Sequence, residues 1–186
     1  MAIARQRLTL DAFLRLPEEK PALELVDGEV TQKVSPKTVH SVIQWEACSS
    51  INGFALPRKL ARAFVEHRSS YDGMSTVPDV AVFVWDRLPR DARGAWIDDV
   101  TYPPDVAIEI ASPGQGAGML ERRCRWYVEH GVRVSIRIEP RRRRATAYRL
   151  GAEPTVATEG DSLDLGDVIP GFHFDLGALF AVLEPD

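Results

Sequence analysis

Cysteine is nearly absent: Cys48 and Cys124 are the only two in 186 residues. That excludes a disulfide framework and leaves no zinc-like Cys/His spacing. The pattern suits a reduced compartment, and a cytoplasmic protein is expected. No apolar run approaches the roughly 18 residues of a membrane span. The stretch Met1–Phe13 has no apolar signal core. No membrane partner is therefore expected. Basic residues are missing from the end of the chain. Residues 151–186 hold eight acids and no lysine or arginine. The net charge of −4 argues against a strong nonspecific grip on nucleic acid. Internal repeats, low-complexity tracts and a convincing linker are also lacking, so residues 1–186 are expected to form a single domain.

What is present is a real core, 45% of the chain being hydrophobic, and an uneven charge distribution. Residues 118–150 carry ten arginines against Glu121, Glu129 and Glu139. The acidic tail either folds against this basic segment or leaves it free as a local patch.

Two short apolar runs contain carboxylates. The stretch from Pro103 to Pro113 reads as a strand opened by two prolines and closed by Ser-Pro. Val106, Ile108 and Ile110 alternate with Asp105, Ala107, Glu109 and Ala111 across its two faces. The surroundings of Glu109 are apolar or small, so the strand should be buried. A lone ionised carboxylate there costs several kcal/mol, roughly, unless it is paired, protonated or metal-bound. Val77–Val84 repeats the design, with Asp79 at the strand's start. Two such acids followed by a helix suggest an oxygen-ligand site for Mg²⁺ or Mn²⁺. The plainer alternatives are a turn role for Asp79 and an ion pair with a core arginine for Glu109.

The remaining elements read in order. Thr9 caps a short helix that ends at Pro17. Ala22–Val26 and Glu29–Val34 form a hairpin around Asp27-Gly28. Thr38 to about Ala55 is helical, with His40, Gln44 and Glu46 among its apolar residues. Residues 62–71 read as one weaker strand, and 86–104 as a long loop. A glycine-rich link over 114–118 leads into a helix from Met119 to His130, with Leu120, Cys124, Tyr127 and Val128 as its apolar stripe. Arg123 lies within that stripe. Val132–Ile138 alternates as a strand with one wet face. Arg141–Arg144 form a hairpin loop, either solvated or in contact with phosphates. The tail ends in a closing strand or turn and a short helix. These elements give an α/β (α+β) fold built on a mixed sheet.

The segments ALELVDGEV, VPDVAVFV, PPDVAIEIASP, the helix ending in YVEHGV, and IPGFHFDLGALF stand in a familiar order. From about Leu10 to Phe180 the chain resembles the Uma-type restriction endonuclease family of the PD-(D/E)XK nuclease superfamily. The resemblance implies a restriction-endonuclease-like core, a mixed sheet flanked by helices with an N-terminal hairpin. It matches Asp79 and Glu109 to the two metal-binding acids, and Glu24 and His40 to polar positions of the family. The superfamily's usual lysine slot is Ala111, and the family's helix lysine is Arg123. The acid often found four residues before it is Met119. Ser135 and Arg137 stand where more apolar residues are usual. Arginine supplies charge and donors but cannot act as a general base.

The expected function is thus cleavage of DNA phosphodiesters with Mg²⁺ or Mn²⁺ on Asp79 and Glu109. Arg123 would stabilise the transition state, and Glu24 or His40 would complete the site. The alternative is a catalytically weakened member of the fold that binds nucleic acid or a protein partner. A homodimer is possible on either reading.

Overall fold

The computed structural model describes residues 7–113 and 116–184. Gly114 and Gln115 of the glycine-rich link lie outside them. The chain opens with α1 (Leu10–Phe13), capped by the Thr9 hydroxyl, which accepts from Ala12 N at 3.2 Å. The hairpin β1 (Leu23–Val26) and β2 (Glu29–Gln32) follows, then α2 (Thr38–Ala55). Next come β3 (Ala61–Val65), β4 (Ser69–Tyr71), β5 (Met74–Thr76), β6 (Val80–Val84) and β7 (Val106–Ile110). After α3 (Ala117–Glu129) come β8 (Val134–Glu139), β9 (Arg144–Tyr148), β10 (Thr155–Thr158), β11 (Ser162–Asp164), β12 (His173–Asp175) and α4 (Leu176–Ala181).

A six-stranded sheet runs in the order β10-β9-β8-β7-β6-β3. Only β7 and β8 pair in parallel, because α3 carries the chain across between them. A smaller sheet of order β2-β1-β5-β4 stands beside it. The alternation of β7 decides how the layers form. Val106, Ile108 and Ile110 join the main core beneath Ile43, Ala47 and Ile51 of α2 and the α4 residues Leu176, Leu179 and Phe180. Ala107 faces the other way, against Tyr127 of α3 and Val132. Glu109 shares that second face, so its carboxylate points toward α3 rather than into the larger core.

Three expectations need correction. Residues 62–71 are not one strand: Glu66 takes a positive φ of 47°, and β3 and β4 pair into different sheets. The Asp72-Gly73 turn, with φ of 50° and 75°, then folds β5 back on β4. Second, β8 has no wet face. All six of its residues are buried, because α3 covers Ser135 and Arg137. Arg137 is tolerated there through ion pairs with Glu139 at 3.2 Å and Glu121 at 3.7 Å. Third, the Arg141–Arg144 loop is largely spoken for. Arg142 and Arg144 pair with Glu139, and Arg143 with Glu159 and Glu184. Arg149 pairs with Asp167 in the same way, so the acidic tail folds against the basic segment.

Helix α2 is tied to the large sheet by two amide side chains. Gln44 Nε2 donates to Asp79 O at 2.8 Å. Asn52 accepts from Ala63 N at 2.8 Å and donates to Ala63 O at 3.0 Å, pairing the outward edge of β3 as a neighbouring strand would. Asn52→Ala leaves Ala63 N without a partner and Ala63 O with only the Cys48 thiol, at 3.5 Å. It should lower unfolding free energy by about 1–3 kcal/mol in urea denaturation; an unchanged midpoint would show that water replaces the amide freely.

Candidate active site

The site grows from the N-terminal hairpin. Asp27 and Gly28 take φ of 51° and 77°, the two positive values that a two-residue turn of this hand needs. A Cβ on Gly28 would also lie 2.7 Å from that of Arg7. The turn fixes the register, pairing Glu24 with Thr31, and Lys33 N extends the ladder to Ala22 O at 2.9 Å. Side chains two residues apart share a face, so Glu24 and Lys33 project together. Both point toward the ends of β6 and β7.

Those ends carry the two acids. β6 and β7 are antiparallel, with Val80 opposite Ile108. Continuing the register by one residue sets Asp79 opposite Glu109, where side chains are near neighbours. Asp79 Oδ1 accepts from Lys33 Nζ at 2.6 Å. Its Oδ2 accepts from Ile110 N at 2.8 Å and pairs with His40 Nε2 at 3.0 Å. Lys33 Nζ also donates to Val77 O at 2.7 Å. Glu109 Oε1 accepts from Arg123 Nε at 2.7 Å and from the Tyr127 hydroxyl at 2.8 Å. The Arg123 guanidinium reaches on to Glu24 Oε1, which also accepts from Val77 N at 2.7 Å. Arg123 therefore bridges Glu24 and Glu109 across the gap between the two sheets.

All five side chains singled out in the sequence (Glu24, His40, Asp79, Glu109 and Arg123) thus line or support one cleft of about 450 Å³. Lys33, Met119, Arg122 and Trp126 also line it. Each of the two acids has a basic partner, Arg123 for Glu109 and Lys33 for Asp79. Lys33, Gln44 and Tyr127 were not anticipated as site residues. For Lys33 a signal existed in the hairpin register, which puts it on the face of Glu24. For Tyr127 it was the four-residue spacing from Arg123 on the buried stripe. Ala111, in the usual lysine slot, offers no functional group.

The protonation states follow from burial and neighbours. Burial alone would raise the Asp79 carboxyl, but the His40 hydrogen bond and the Lys33 charge outweigh it and hold it well below the usual range. With Asp79 ionised, His40 Nε2 carries the proton between them. Burial pushes the Glu109 carboxyl up; Arg123 opposes this, while the Asp79 charge adds to it. Burial would lower Lys33, yet Asp79, Glu109 and Glu24 together raise it, so it remains a cation. Burial also drives the Tyr127 hydroxyl well up, and it stays a donor.

The donor set suits a hard divalent cation. Glu24, Asp79 and Glu109 converge on the two cations they pair with, Lys33 and Arg123. Glu24 Oε2 and Glu109 Oε2 accept no hydrogen bond among the described residues. No group of three His, Cys, Asp or Glu forms a ready cage among those residues. Any ion here would bind through one or two carboxylates and keep much of its water, as Mg²⁺ does.

The buried acid pair stands opposed across two strand ends, on a mixed sheet with helices on both faces, and this fold is shared with a nuclease-type structure. A crystal structure titled as a putative nuclease belonging to DUF820, from Anabaena variabilis ATCC 29413, is similar with a TM-score of 0.89 and 36% identity. The match covers 95% of this chain and 99% of that one. The chain belongs to the Uma2 family, described as "Putative restriction endonuclease", whose model matches residues 10–177. No curated protein matches the chain. No helix among the described residues is long and apolar enough to cross a membrane.

The lowered Asp79 carboxyl makes a pH prediction. A group whose folded pKa is depressed adds stability above its unfolded value, about 3.9 for aspartate, and loses it as pH falls toward the folded value. Asp79→Asn should lower unfolding free energy by about 3 kcal/mol at pH 7. The gap from wild type should narrow as pH falls from about 5 to 3. Urea unfolding across that range checks this; a gap independent of pH would remove the ionised Asp79 from the network.

Proposed function

We propose that the protein is a nuclease that uses Mg²⁺ or Mn²⁺ to hydrolyse phosphodiester bonds of DNA in this cleft. The observation that carries the reading is the opposition of Asp79 and Glu109 at the ends of β6 and β7, with Glu24 as a third carboxylate in the same cleft. Asp79 and Glu109 would hold the ion, with Glu24 beside them in the cleft. The ion supplies Lewis acidity toward the phosphate and lowers the pKa of bound water. Tyr127 fixes one oxygen of Glu109 and leaves the other turned to the cleft. His40 keeps Asp79 ionised and oriented. Arg123 places a permanent positive charge beside the acids, where charge develops on the phosphate, and it takes no proton.

A second reading has its own observation. The Nε and Nη2 donors of Arg123 are already engaged by Glu24, Glu109 and Tyr127. An arginine so occupied works first as a clamp. With Ala111 and Met119 at positions where related chains carry a lysine and an acid, this favours a nuclease-fold protein that binds nucleic acid or a protein partner without cleaving.

Nicking of supercoiled plasmid with Mn²⁺ separates the two. On the nuclease reading wild type nicks, EDTA stops it, and Glu109→Ala abolishes it. Arg123→Lys keeps or raises the rate, whereas Arg123→Ala lowers it by roughly 10²–10³-fold and lowers stability by about 3–5 kcal/mol as a broken buried pair. No nicking by wild type or by Arg123→Lys, with stability lost only in the alanine variant, would leave the binding reading.

A further inference from the structure

We propose that Lys33 is the tethered cation of this site, holding on Asp79 the place that a divalent ion takes and leaving it when the ion binds. The inference rests on the metal site proposed above and adds a residue and an exchange to it.

Asp79 Oδ2 accepts two hydrogen bonds, from Ile110 N and His40, while Oδ1 accepts only the Lys33 ammonium, so an ion approaching this carboxylate meets the Lys33 charge at its one open oxygen. The two partners on Oδ2 cannot withdraw. Ile110 N belongs to the backbone of a central strand, fixed by its sheet neighbours on β6 and β8. His40 stands on α2, which the adjacent Gln44 ties to the carbonyl of Asp79 itself. Lys33 differs on each count. It follows β2, the outer strand of the smaller sheet, and reaches the site on a flexible four-carbon stem. Its ammonium holds Asp79 Oδ1 and Val77 O, and its third donor takes no partner among the described residues. Withdrawing it breaks no strand pairing.

Charge points the same way. The carboxylates of Asp79, Glu109 and Glu24 all act on the Lys33 ammonium. Nζ therefore stands where the three negative charges converge, the position a cation seeks. A divalent ion brings twice the charge to that position and contacts the carboxylates directly. Arg123 cannot make the exchange, because its guanidinium is held on three sides. Once displaced, Lys33 remains beside the cleft as its one uncommitted ammonium among the described lining residues, available to a phosphate oxygen.

Calorimetric Mn²⁺ titration, paired with thermal melts with and without Mn²⁺, tests this on the full chain as wild type, Lys33→Ala and Lys33→Gln. Glutamine keeps a donor for Asp79 without the charge, and so controls for loss of fold. If Lys33 competes with the ion, both variants bind Mn²⁺ about tenfold more tightly than wild type. Their melts are lower without Mn²⁺ and rise more on adding it. Wild type that binds Mn²⁺ as tightly as the variants, or more tightly, overturns the exchange and leaves Lys33 a structural partner, with the metal site intact. No Mn²⁺ binding by any of the three overturns both the exchange and the metal site.

Discussion

Three carboxylates taken out of water at one end of a sheet are the constraint on which the rest of the structure depends. Glu24, Asp79 and Glu109 are each almost fully buried, and none of them could stay ionised there alone. Their partners come from every part of the fold: the first hairpin supplies Lys33, α2 supplies His40, and α3 supplies Arg123 and Tyr127. The smaller sheet packs where it does because Glu24 joins Val77 N to Arg123. Apolar residues of the same volume would often hold such elements together as well or better. Carboxyls shifted in opposite directions within one cleft recur at functional sites, and structural ion-pair networks shift them as well.

The electrostatics outside the cleft follow a different plan. The arginines of residues 118–150 are mostly consumed within the molecule, on Glu121, Glu139, Glu159, Asp167 and Glu184. The acidic tail therefore neutralises the basic segment instead of exposing it. A polyanion would meet no broad basic face there, and on the proposed function its recognition would fall back on the cleft and on lining groups such as Arg122. Affinity built from few phosphate contacts has a shallow dependence on salt.

Much of the central site was legible because its signals are local. A proline, an acid and an unbroken apolar run marked the strands of Asp79 and Glu109, and helical spacing turned Arg123 inward. The Asp27-Gly28 turn also fixed a register that put Lys33 on the face of Glu24. Lys33 was missed because its partner lies 46 residues away and every residue of the strand before it is exposed. Long-range charge pairing leaves no periodicity to read. The same blindness produced the wet face assigned to β8, where Arg137 looked like a surface residue until Glu121 and Glu139 accounted for it. Short strands such as β4, β5, β10 and β11 carry too few residues for an alternation to stand out, and the bend at Glu66 depends on a positive φ that the residue type does not announce.

On the proposed function the opposed carboxylates of Asp79 and Glu109 form the seat of a divalent ion. Anomalous diffraction from crystals soaked in Mn²⁺ tests it most directly. One strong peak is expected within roughly 2.0–2.2 Å of a carboxylate oxygen of Glu109 and of Asp79, with the Lys33 ammonium drawn back from its present place. A cleft without a peak, and with Lys33 still on Asp79 at saturating Mn²⁺, would contradict the claim and leave the buried charges as a clamp between two sheets.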